Sequence, residues 1–536
     1  MEGFPLFIEN CHDVAVVGAG IGGTYAVWRL RNHGLNVGLY EYSDRVGSRL
    51  YTQIFPQAPD VPVELGAMRF IKKQHKMLYR TLTKVGLKTT SFLNHLRDDV
   101  RYFMRGRLIR KHLIQHTNFS GNVSSLPKEL SYLVSDDGIK LEHQTMHDFL
   151  KKYLSAEAIK VLSNIKKYLL YDMSAARLFH HLVDIVSDDT TDSKEWLTIS
   201  GGMRQLPVKL VEEFLKVNTR MVESVTINIL EETPVKMRRH SLRLNHQLLS
   251  INRTRNIYNL QFVRTRKVDG DTNQTVIVCS RKVILAVPAP ALLKIDLDVL
   301  QSLHVWRNLE NVEYYYAVKL FLLYDYMWWS DSPGKSYESC SKFNTYDHRH
   351  TCPTAIIDKH NSCPHQTFQT SCCSCGVSPT RDRPMIINPD LPLDRTTHFG
   401  VSQVTGASVL MVAYSSHGLW RELQKHGKPM WSHHRGISTE VVRHAHIYLA
   451  KLFKVDVNTI PNPIDGAISS WNEFPYNKAF SAWKIGAHWN WVWDSLHKPS
   501  GLEDIFISLG LYWNYDSDIW SDNALKSIDK IARLYF

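Results

Sequence analysis

The sequence lacks an apolar run long enough to cross a membrane. A membrane-spanning helix needs about 18 largely apolar residues, but the richest stretches, residues 283–293 and 314–323, are interrupted by proline or lysine. The first ten residues also lack the basic region and the apolar segment of a secretory signal. We therefore predict no transmembrane segment.

A motif for nucleic-acid recognition is also missing. The formal net charge is +12, from 64 Lys and Arg against 52 Asp and Glu, and this excess favours contact with acidic surfaces. The basic residues are scattered, however, and form no basic helix with interleaved aromatic residues. We therefore predict no nucleic-acid partner.

Cysteines are few, and most of them lie in one segment. Six of the eight lie between Cys340 and Cys375, among several histidines, without the paired Cys-x2-Cys spacing of a zinc ribbon. Glycosylation sequons favour an exported glycoprotein, in which disulfides persist; they start at Asn118, Asn122, Asn252 and Asn273. We predict secretion, disulfides rather than zinc, and no metal site, with the cysteine pairing left open.

A βαβ pattern is present near the N-terminus. Residues 13–18 form an apolar strand pattern, 24–33 are helix-forming, and 36–40 form a second strand pattern. The first strand leads into Gly18-Ala-Gly20-Ile21-Gly22-Gly23. In a dinucleotide-binding turn, the first glycine permits the tight turn, the second lets the backbone approach a pyrophosphate, and the third allows close packing of helix on strand.

An acidic residue follows the second strand of this pattern. Glu41 lies 18 residues beyond Gly23, where a carboxylate can bind the ribose hydroxyls of a dinucleotide. The N-terminus of the intervening helix offers unpaired N–H groups to the phosphates. These features predict a dinucleotide site but do not distinguish FAD from NAD.

The remaining sequence predicts an α/β protein, α+β overall, in which a Rossmann-type cofactor domain is interleaved with a substrate domain and a helical region. Residues 245–263 have the pattern of a β-hairpin, and 282–287 that of a buried strand. The predicted units are a discontinuous cofactor domain (11–70, 241–295 and 465–536), a largely helical region (71–240), a substrate domain (296–464) and, within the latter, a Cys/His-rich insertion (332–400).

Several segments resemble flavin-containing amine oxidases. The stretch from Glu41 to Gly47-Ser48-Arg49 is similar to a family segment that usually ends Gly-Gly-Arg. Gly66-Ala67-Met68-Arg69 is similar to the Gly-x-Met-Arg segment of L-amino-acid oxidases. Order and spacing most resemble the secreted molluscan L-amino-acid oxidases, the aplysianin-A, achacin and escapin group, over nearly the whole chain except the Cys-rich segment.

The resemblance implies FAD as cofactor. Ile21 and Gly22 would lie along the pyrophosphate, Glu41 at the ribose, and the backbone of Leu248 at the adenine, although Leu248 equally fits a core position. The residues that the resemblance assigns to the cofactor are Gly18, Gly20, Ile21, Gly22, Gly23, Glu41, Tyr42, Arg49, Gly66, Ala67, Met68, Arg69, Leu248, Trp520, Ser521 and Asp522.

The resemblance also implies oxidative deamination of L-amino acids with O2, giving an oxo acid, ammonia and hydrogen peroxide. Arg69 matches the residue that binds the substrate carboxylate, a task suited to a planar, permanently charged fork. Lys319 matches a lysine that holds a water near the flavin. Alternatively, Arg69 forms a structural ion pair, and Lys319 is a solvent-exposed lysine at a strand edge. The aromatic candidates for the substrate wall, which could equally be core residues, are Trp471, Tyr476, Trp483 and Trp520.

Four positions depart from the family pattern. Ser48 replaces a glycine, and Leu509, Gly510 and Ile519 replace small or polar residues near the flavin. A side chain added where backbone must approach a ligand weakens that approach. Two other functions therefore stay open: a catalytically impaired or inactive binding or defence protein, and an amine or polyamine oxidase, which needs no carboxylate clamp. An antimicrobial role and a homo-oligomer are also left open.

Overall fold

The structure, a computed structural model, contains two large β-sheets with helices packed against them. It describes residues 11–92, 100–110, 139–156, 159, 163, 175, 196–225, 240–265, 275–297, 309–310, 312–329, 386–425, 436–471, 480–485, 495–508, 510 and 521–536. The strands are β1 (His12–Val17), β2 (Val37–Tyr40), β3 (Thr52–Phe55), β4 (Ala58–Glu64), β5 (Phe70–Ile71), β6 (Thr89–Ser91), β7 (Val100–Met104), β8 (Arg107–Arg110), β9 (Trp196–Ile199), β10 (Ser241–Arg243), β11 (His246–Thr254), β12 (Ile257–Arg264), β13 (Thr275–Leu285), β14 (Val312–Tyr315), β15 (Val318–Tyr324), β16 (Ile386–Pro389), β17 (Thr396–Val401), β18 (Ser408–Ser415), β19 (Asp465–Ser470), β20 (Phe480–Trp483) and β21 (Ile505–Ile507). The α-helices are α1 (Ile21–Leu30), α2 (Lys76–Lys84), α3 (Met146–Lys151), α4 (Gln205–Val225), α5 (Ala289–Leu292), α6 (Leu419–Leu423), α7 (Thr439–Phe453) and α8 (Ser521–Tyr535), and two 3₁₀ helices lie at Leu141–His143 and Val457–Thr459.

The first sheet contains β10, β2, β1, β13, β12 and β11 in this order, and β21 pairs with β13. Strands β10, β2, β1, β13 and β21 run parallel, whereas β11 and β12 form an antiparallel hairpin. Parallel strands covered on both faces read as continuous apolar runs, as β1 and β2 do. All three segments assigned to the cofactor domain contribute strands, while its boundaries stay a prediction. The α/β fold class is confirmed.

Helix α1 is held between this sheet and two other helices, α4 and α8. Most of its residues are buried, including Ala26 and Val27. The Trp28 indole donates a hydrogen bond of 2.7 Å to the Glu213 carboxylate on α4, and Arg29 pairs with Asp529 on α8 at 3.1 Å. Contacts on every side fix the direction of α1, and with it the place where its first N–H groups point.

The second sheet follows the order β19, β15, β18, β17, β16, β7 and β8. Every residue of β15 is buried, because one face packs against α6 and α7 and the other against the β3–β4 hairpin of the cofactor side. Lys319 is the one charged residue of this strand, and its position between two layers places it inside the protein.

The region predicted to be largely helical also contains strands. Within the described part of 71–240, β9 pairs with both β5 and β6, and β7 and β8 extend the second sheet. Three of these strands are only three or four residues long, too short for a period-2 pattern to separate them from loop. Their partners also lie far away in sequence: β9 pairs with β5, and β7 with β16.

A disulfide joins Cys11 to Cys279, beside the paired strands β1 and β13. The predicted disulfides lie elsewhere, in the Cys-rich segment, which is outside the described residues. Within the described ranges, no helix is long and apolar enough to cross a membrane.

Candidate functional site

A cleft opens where β1, β2 and β21 end, beside the start of α1. In open α/β sheets, ligands bind in the crevice outside the carboxyl ends of the strands. The residues that line this cleft are Val17, Gly18, Gly20, Ile21, Gly22, Glu41, Tyr42, Gly47, Ser48, Arg49, Leu50, Ala67, His246, Gln247, Leu248, Ala286, Val287, Pro288, Ala291, Lys294, Ile295, Ser508, Gly510, Ser521 and Ala524.

The glycines of the turn at the cleft have different surroundings. Gly18 has a φ of +96°, which side chains rarely adopt. A Cβ on Gly23 would lie 1.7 Å from the Gly18 carbonyl oxygen, whereas a Cβ on Gly22 would meet nothing closer than 3.6 Å. Gly23 therefore serves packing within the protein, whereas a Cβ on Gly22 would only be in ordinary van der Waals contact with its neighbours at the cleft.

The electrostatics of the turn suit a diphosphate next to a ribose. No side chain caps the N-terminus of α1, so its first N–H groups and the helix dipole are available to an anion. The Glu41 carboxylate lies beside the turn and accepts hydrogen bonds from the backbone of Ala19 at 2.6 Å and of Ser43 at 3.0 Å. Those bonds hold the acidic side chain in place at the cleft.

Two loop segments meet on the opposite wall. The Ala67 N–H donates to the Arg49 carbonyl at 2.9 Å, and a Cβ on Gly66 would lie 1.8 Å from that same oxygen. Only a glycine allows this approach. Ser48 adopts a left-handed φ of +46°, a conformation natural for the glycine of the family pattern, so the serine keeps the backbone path that a glycine would follow.

Leu248 satisfies both interpretations offered by the sequence. It is 6% exposed, packs in the core beneath the first sheet, and also lines the cleft. The pairing of β11 with β12 is irregular immediately after it. Tyr42, Arg49 and Ser521 line the cleft as well. Gly66, Met68 and Arg69 are not among the residues that line this cleft, and Met68 packs against residues of the second sheet.

Asp522 is turned towards α2. Its carboxylate accepts a hydrogen bond of 2.7 Å from the Leu78 N–H in the first turn of that helix, and it is not among the residues that line the cleft. Burial raises the pKa of Asp522 to about 6, although backbone hydrogen bonds from Leu78 and Met77 oppose the shift. The side chain thus ties α8 to α2.

Asp522→Asn is expected to flatten the pH dependence of stability. Because the folded-state pKa is raised, the contribution of Asp522 is fully present below about pH 4 and is lost as the pH rises through about 6. A shift of two units corresponds to at most about 3 kcal/mol. An asparagine still accepts from Leu78 but does not titrate. Urea unfolding midpoints from about pH 4 to 7 test this, with the exposed Asp325→Asn as control; an unchanged slope contradicts it.

Lys319 lies next to the Gly66 segment. It is 3% exposed, and its ammonium donates to the carbonyl of Glu64 at 3.1 Å and to that of Gly66. Burial lowers the pKa of Lys319 to about 7; the Glu64 carboxylate opposes this shift and the Arg69 guanidinium adds to it. Lys319 is therefore not a solvent-exposed lysine at a strand edge.

Arg69 lies over an aromatic surface near Lys319. Its guanidinium is 4.1 Å from the centroid of the Trp196 ring and 5.9 Å from that of Phe92. Tyr414 on β18 lies close enough that the Arg69 charge opposes the rise that burial causes in its phenol pKa. An arginine, a lysine and a tyrosine are therefore gathered between the Gly66 segment and the second sheet.

The aromatic candidates are only partly described. The Trp471 indole is buried, donates 2.8 Å to the Leu65 carbonyl, and would lie 3.3 Å from a Cβ on Gly66. Trp483 is placed on β20, and the structure says nothing of its side chain. Tyr476 and Trp520, with the departures Leu509 and Ile519, lie outside the described residues.

Sequence reasoning missed several buried groups at these sites. Glu64 accepts from the Met203 N–H at 2.7 Å and from the Thr52 hydroxyl at 2.9 Å beneath the Gly66 segment. His246 lines the cleft with an Nε2 that has no partner among the described residues. Tyr414 and Ser508 complete this set. Nothing in the sequence around Tyr414 or Ser508 predicts that they lie at these sites. Glu64 could have been predicted, because it is a carboxylate within the apolar run before Gly66.

Metal ligands do not cluster in the part of the chain that the structure describes: no group of three or more His, Cys, Asp or Glu side chains could hold an ion there. The Cys/His-rich insertion, on which the choice between disulfides and zinc depends, lies outside that part. The preference for disulfides there stays a prediction.

A cleft with an uncapped helix start, next to a glycine segment that contacts a buried lysine and carries an arginine, is the arrangement expected of a flavin-binding oxidoreductase. The sequence matches the family of flavin containing amine oxidoreductases over residues 23–354, more than half of the chain. The chain belongs to that family, and FAD is its cofactor. The family and the cofactor that the sequence predicted are both confirmed.

Two molluscan proteins resemble the chain over almost its whole length. Achacin of Lissachatina fulica is 28% identical over 98% of this chain and 93% of its own. Aplysianin-A of Aplysia kurodai is 25% identical, over 98% and 91%. The L-amino-acid oxidase of Notechis scutatus scutatus is 25% identical over 42% of this chain and 48% of its own.

Solved structures of putrescine oxidase share the fold. The wild type bound to putrescine superposes with a TM-score of 0.62 at 16% identity, covering 98% of this chain and 98% of that one. The likeness establishes the shared fold.

Proposed function

We propose that the protein is an FAD-dependent oxidase of L-amino acids, producing an oxo acid, ammonia and hydrogen peroxide. The observation that carries this proposal is the position of Arg69. Its guanidinium is held over the Trp196 ring at 4.1 Å, on the segment whose carbonyls accept from Lys319. A fixed guanidinium of this kind binds a carboxylate through two parallel hydrogen bonds.

Arg69 holds the substrate in this proposal. A bidentate arginine fixes both the position and the rotation of the α-carboxylate, which converts an encounter into an oriented reaction. Trp196 and Phe92 restrict the guanidinium from one side. When bound, FAD accepts a hydride from the substrate and passes the electrons to O2.

Lys319 and Glu64 shape the surroundings of the reaction. Burial shifts the pKa of Lys319 down and that of Glu64 up, and both shifts favour the uncharged forms. The uncharged amine of Lys319 can then accept a hydrogen bond from a water molecule, while its own two donated bonds to the Glu64 and Gly66 carbonyls fix the backbone beside the cofactor. Glu64 positions that same backbone through Met203 and Thr52.

Peroxide release tests the proposed substrate class. The purified full-length protein, loaded with FAD, is expected to release hydrogen peroxide and ammonia in equal amounts from L-amino acids, with basic and aromatic ones assayed first. D-amino acids should give none, because with the carboxylate clamped and the Cα–H in the hydride direction, a D-amino acid would place its side chain where the amino group of the L-enantiomer lies. A coupled peroxidase assay and an ammonia assay measure the two products.

The same assay separates the alternatives. Turnover of putrescine or another amine without carboxylate, and none with L-amino acids, would identify an amine oxidase, the activity named for the structural relatives. A protein with a stoichiometric flavin absorption band but no peroxide from either class would be catalytically inactive, and the proposal would then be wrong.

We also propose that the protein is secreted. The Cys11–Cys279 disulfide supports this, because disulfides persist in oxidising compartments and are rare in the cytosol. Asn252, one of the four sequon asparagines, is exposed on β11, and is therefore open to glycosylation. An antimicrobial role would follow from the release of hydrogen peroxide outside the cell.

A further inference from the structure

Ser508 carries a buried hydroxyl that has no partner among the residues that the structure describes. The residue follows β21, and its N–H donates to the Leu285 carbonyl at 2.9 Å, which extends the pairing with β13 by one residue. The side chain is 4% exposed. Among the described residues, nothing accepts from or donates to its Oγ. Buried hydroxyls without a hydrogen bond are destabilising, so such a group requires an explanation.

The hydroxyl faces the start of α1. Its Oγ lies 3.7 Å from the position of a Cβ on Gly22, and Ala286 and Ala524 are the other neighbours of that position. All four residues line the cleft. The surrounding side chains are small and apolar, so Ser508 brings the one side-chain hydrogen-bond donor of this group to the helix start.

The first turn of α1 lacks a side-chain cap, and its residues Ile21 and Gly22 line the same cleft as Ser508. A ligand that satisfies both the N–H groups and the Ser508 hydroxyl must carry several acceptor oxygens at one point. Negative charge on those oxygens is favoured by the helix dipole. A phosphate meets all three requirements, and a sugar hydroxyl or the flavin ring does not.

We propose that Ser508 is a cofactor-binding residue whose hydroxyl donates a hydrogen bond to the diphosphate of FAD, beside the N–H groups of α1. The inference rests on FAD as cofactor and holds for an amino-acid oxidase and an amine oxidase alike. In this arrangement, a diphosphate oxygen of the cofactor accepts the hydrogen bond for which the Ser508 hydroxyl has no acceptor among the described residues.

Binding of FAD to the deflavinated full-length protein tests the proposal without any turnover assay. Ser508→Ala is expected to raise the Kd of FAD about tenfold, the size expected for a hydrogen bond to a charged acceptor. Titration followed by quenching of flavin fluorescence measures the Kd. The melting temperature of the FAD-free variant should equal or exceed that of the parent, because alanine removes a hydroxyl that had no partner.

Three ligands locate the contact. The Kd of ADP, which carries the diphosphate without a flavin, should rise by the same factor as that of FAD. The Kd of riboflavin, which has the ribityl chain but no phosphate, should not change. Weaker binding of riboflavin with unchanged ADP would place the contact on the ribityl chain and overturn the proposal, as would an unchanged Kd for FAD.

Two further variants guard against indirect effects. Ser508→Cys keeps the shape but has a weak donor, so it should behave like Ser508→Ala. Ser241→Ala removes another buried hydroxyl without a partner, from β10 of the same sheet but outside the cleft, and should leave the Kd of FAD unchanged. An equal loss of affinity in Ser241→Ala would show a general effect on the sheet and refute the role of Ser508.

Discussion

Replacement of Arg69 by alanine should lower kcat/KM for L-amino acids about a thousandfold, which corresponds to about 4 kcal/mol of transition-state stabilisation. The reason is geometric. In the proposed clamp, the guanidinium, held over Trp196, would provide two charge-assisted hydrogen bonds in one plane, and without them the substrate carboxylate would be neither neutralised nor oriented. Steady-state peroxide release over a range of substrate concentrations measures the change.

Controls separate the clamp from a structural role. Arg69→Lys keeps the charge but loses the planar fork, and should recover only part of the activity. Arg443→Ala, at an exposed arginine of α7, should have no effect. The visible spectrum of Arg69→Ala should show a full complement of FAD. Loss of the flavin band, or activity within about threefold of the parent, would count against the carboxylate clamp.

Alanine at Gly23 and at Gly22 should affect the protein in different ways. In Gly23→Ala the new Cβ would lie 1.7 Å from the Gly18 carbonyl oxygen, so α1 must move away from β1. Overpacking of this kind costs about 1–3 kcal/mol or more, and the shift also displaces the N–H groups that face the diphosphate. We expect a clear loss of thermal stability and no measurable FAD binding.

Gly22→Ala is the matched comparison. Its Cβ would meet no protein atom closer than 3.6 Å, so the FAD-free protein should melt at nearly the parent temperature. The methyl group projects at the cleft, however, and should weaken FAD binding. Thermal unfolding with and without FAD, together with the flavin spectrum, distinguishes the two variants. Equal behaviour of both would show that Gly23 does not have the packing role assigned to it.

The sequence predicted the dinucleotide turn well because every part of it is local. A strand, a glycine turn, a helix and a second strand follow one another within residues 12–40, and their hydrophobic periods and glycines are readable without knowledge of the rest of the chain. The β11–β12 hairpin was predicted for the same reason. The role of Gly23 in helix packing was also inferred from spacing, and the position of a Cβ there now supplies the physical cause.

The surroundings of residues whose contacts are distant in sequence could not be predicted in this way. Lys319 was assigned by resemblance, but its burial depends on β15 lying between α6–α7 and the β3–β4 hairpin. Asp522 was expected at the cofactor and instead binds the first turn of α2, which is distant in sequence. The short strands β6 and β9 were missed because their pairing partners, not their own residues, stabilise them.

By itself, the sequence determined the family, the FAD cofactor and the position of the glycine turn. These depend on short motifs, whose residues are neighbours both in the sequence and in the structure. Only the tertiary structure decided which polar groups are buried together. Ser508 and Gly22 are 486 residues apart in the sequence, yet β21 and α1 bring them to one point of the cleft. Burial and the lack of a partner are properties of that packing, and they give the Ser508 hydroxyl its proposed role.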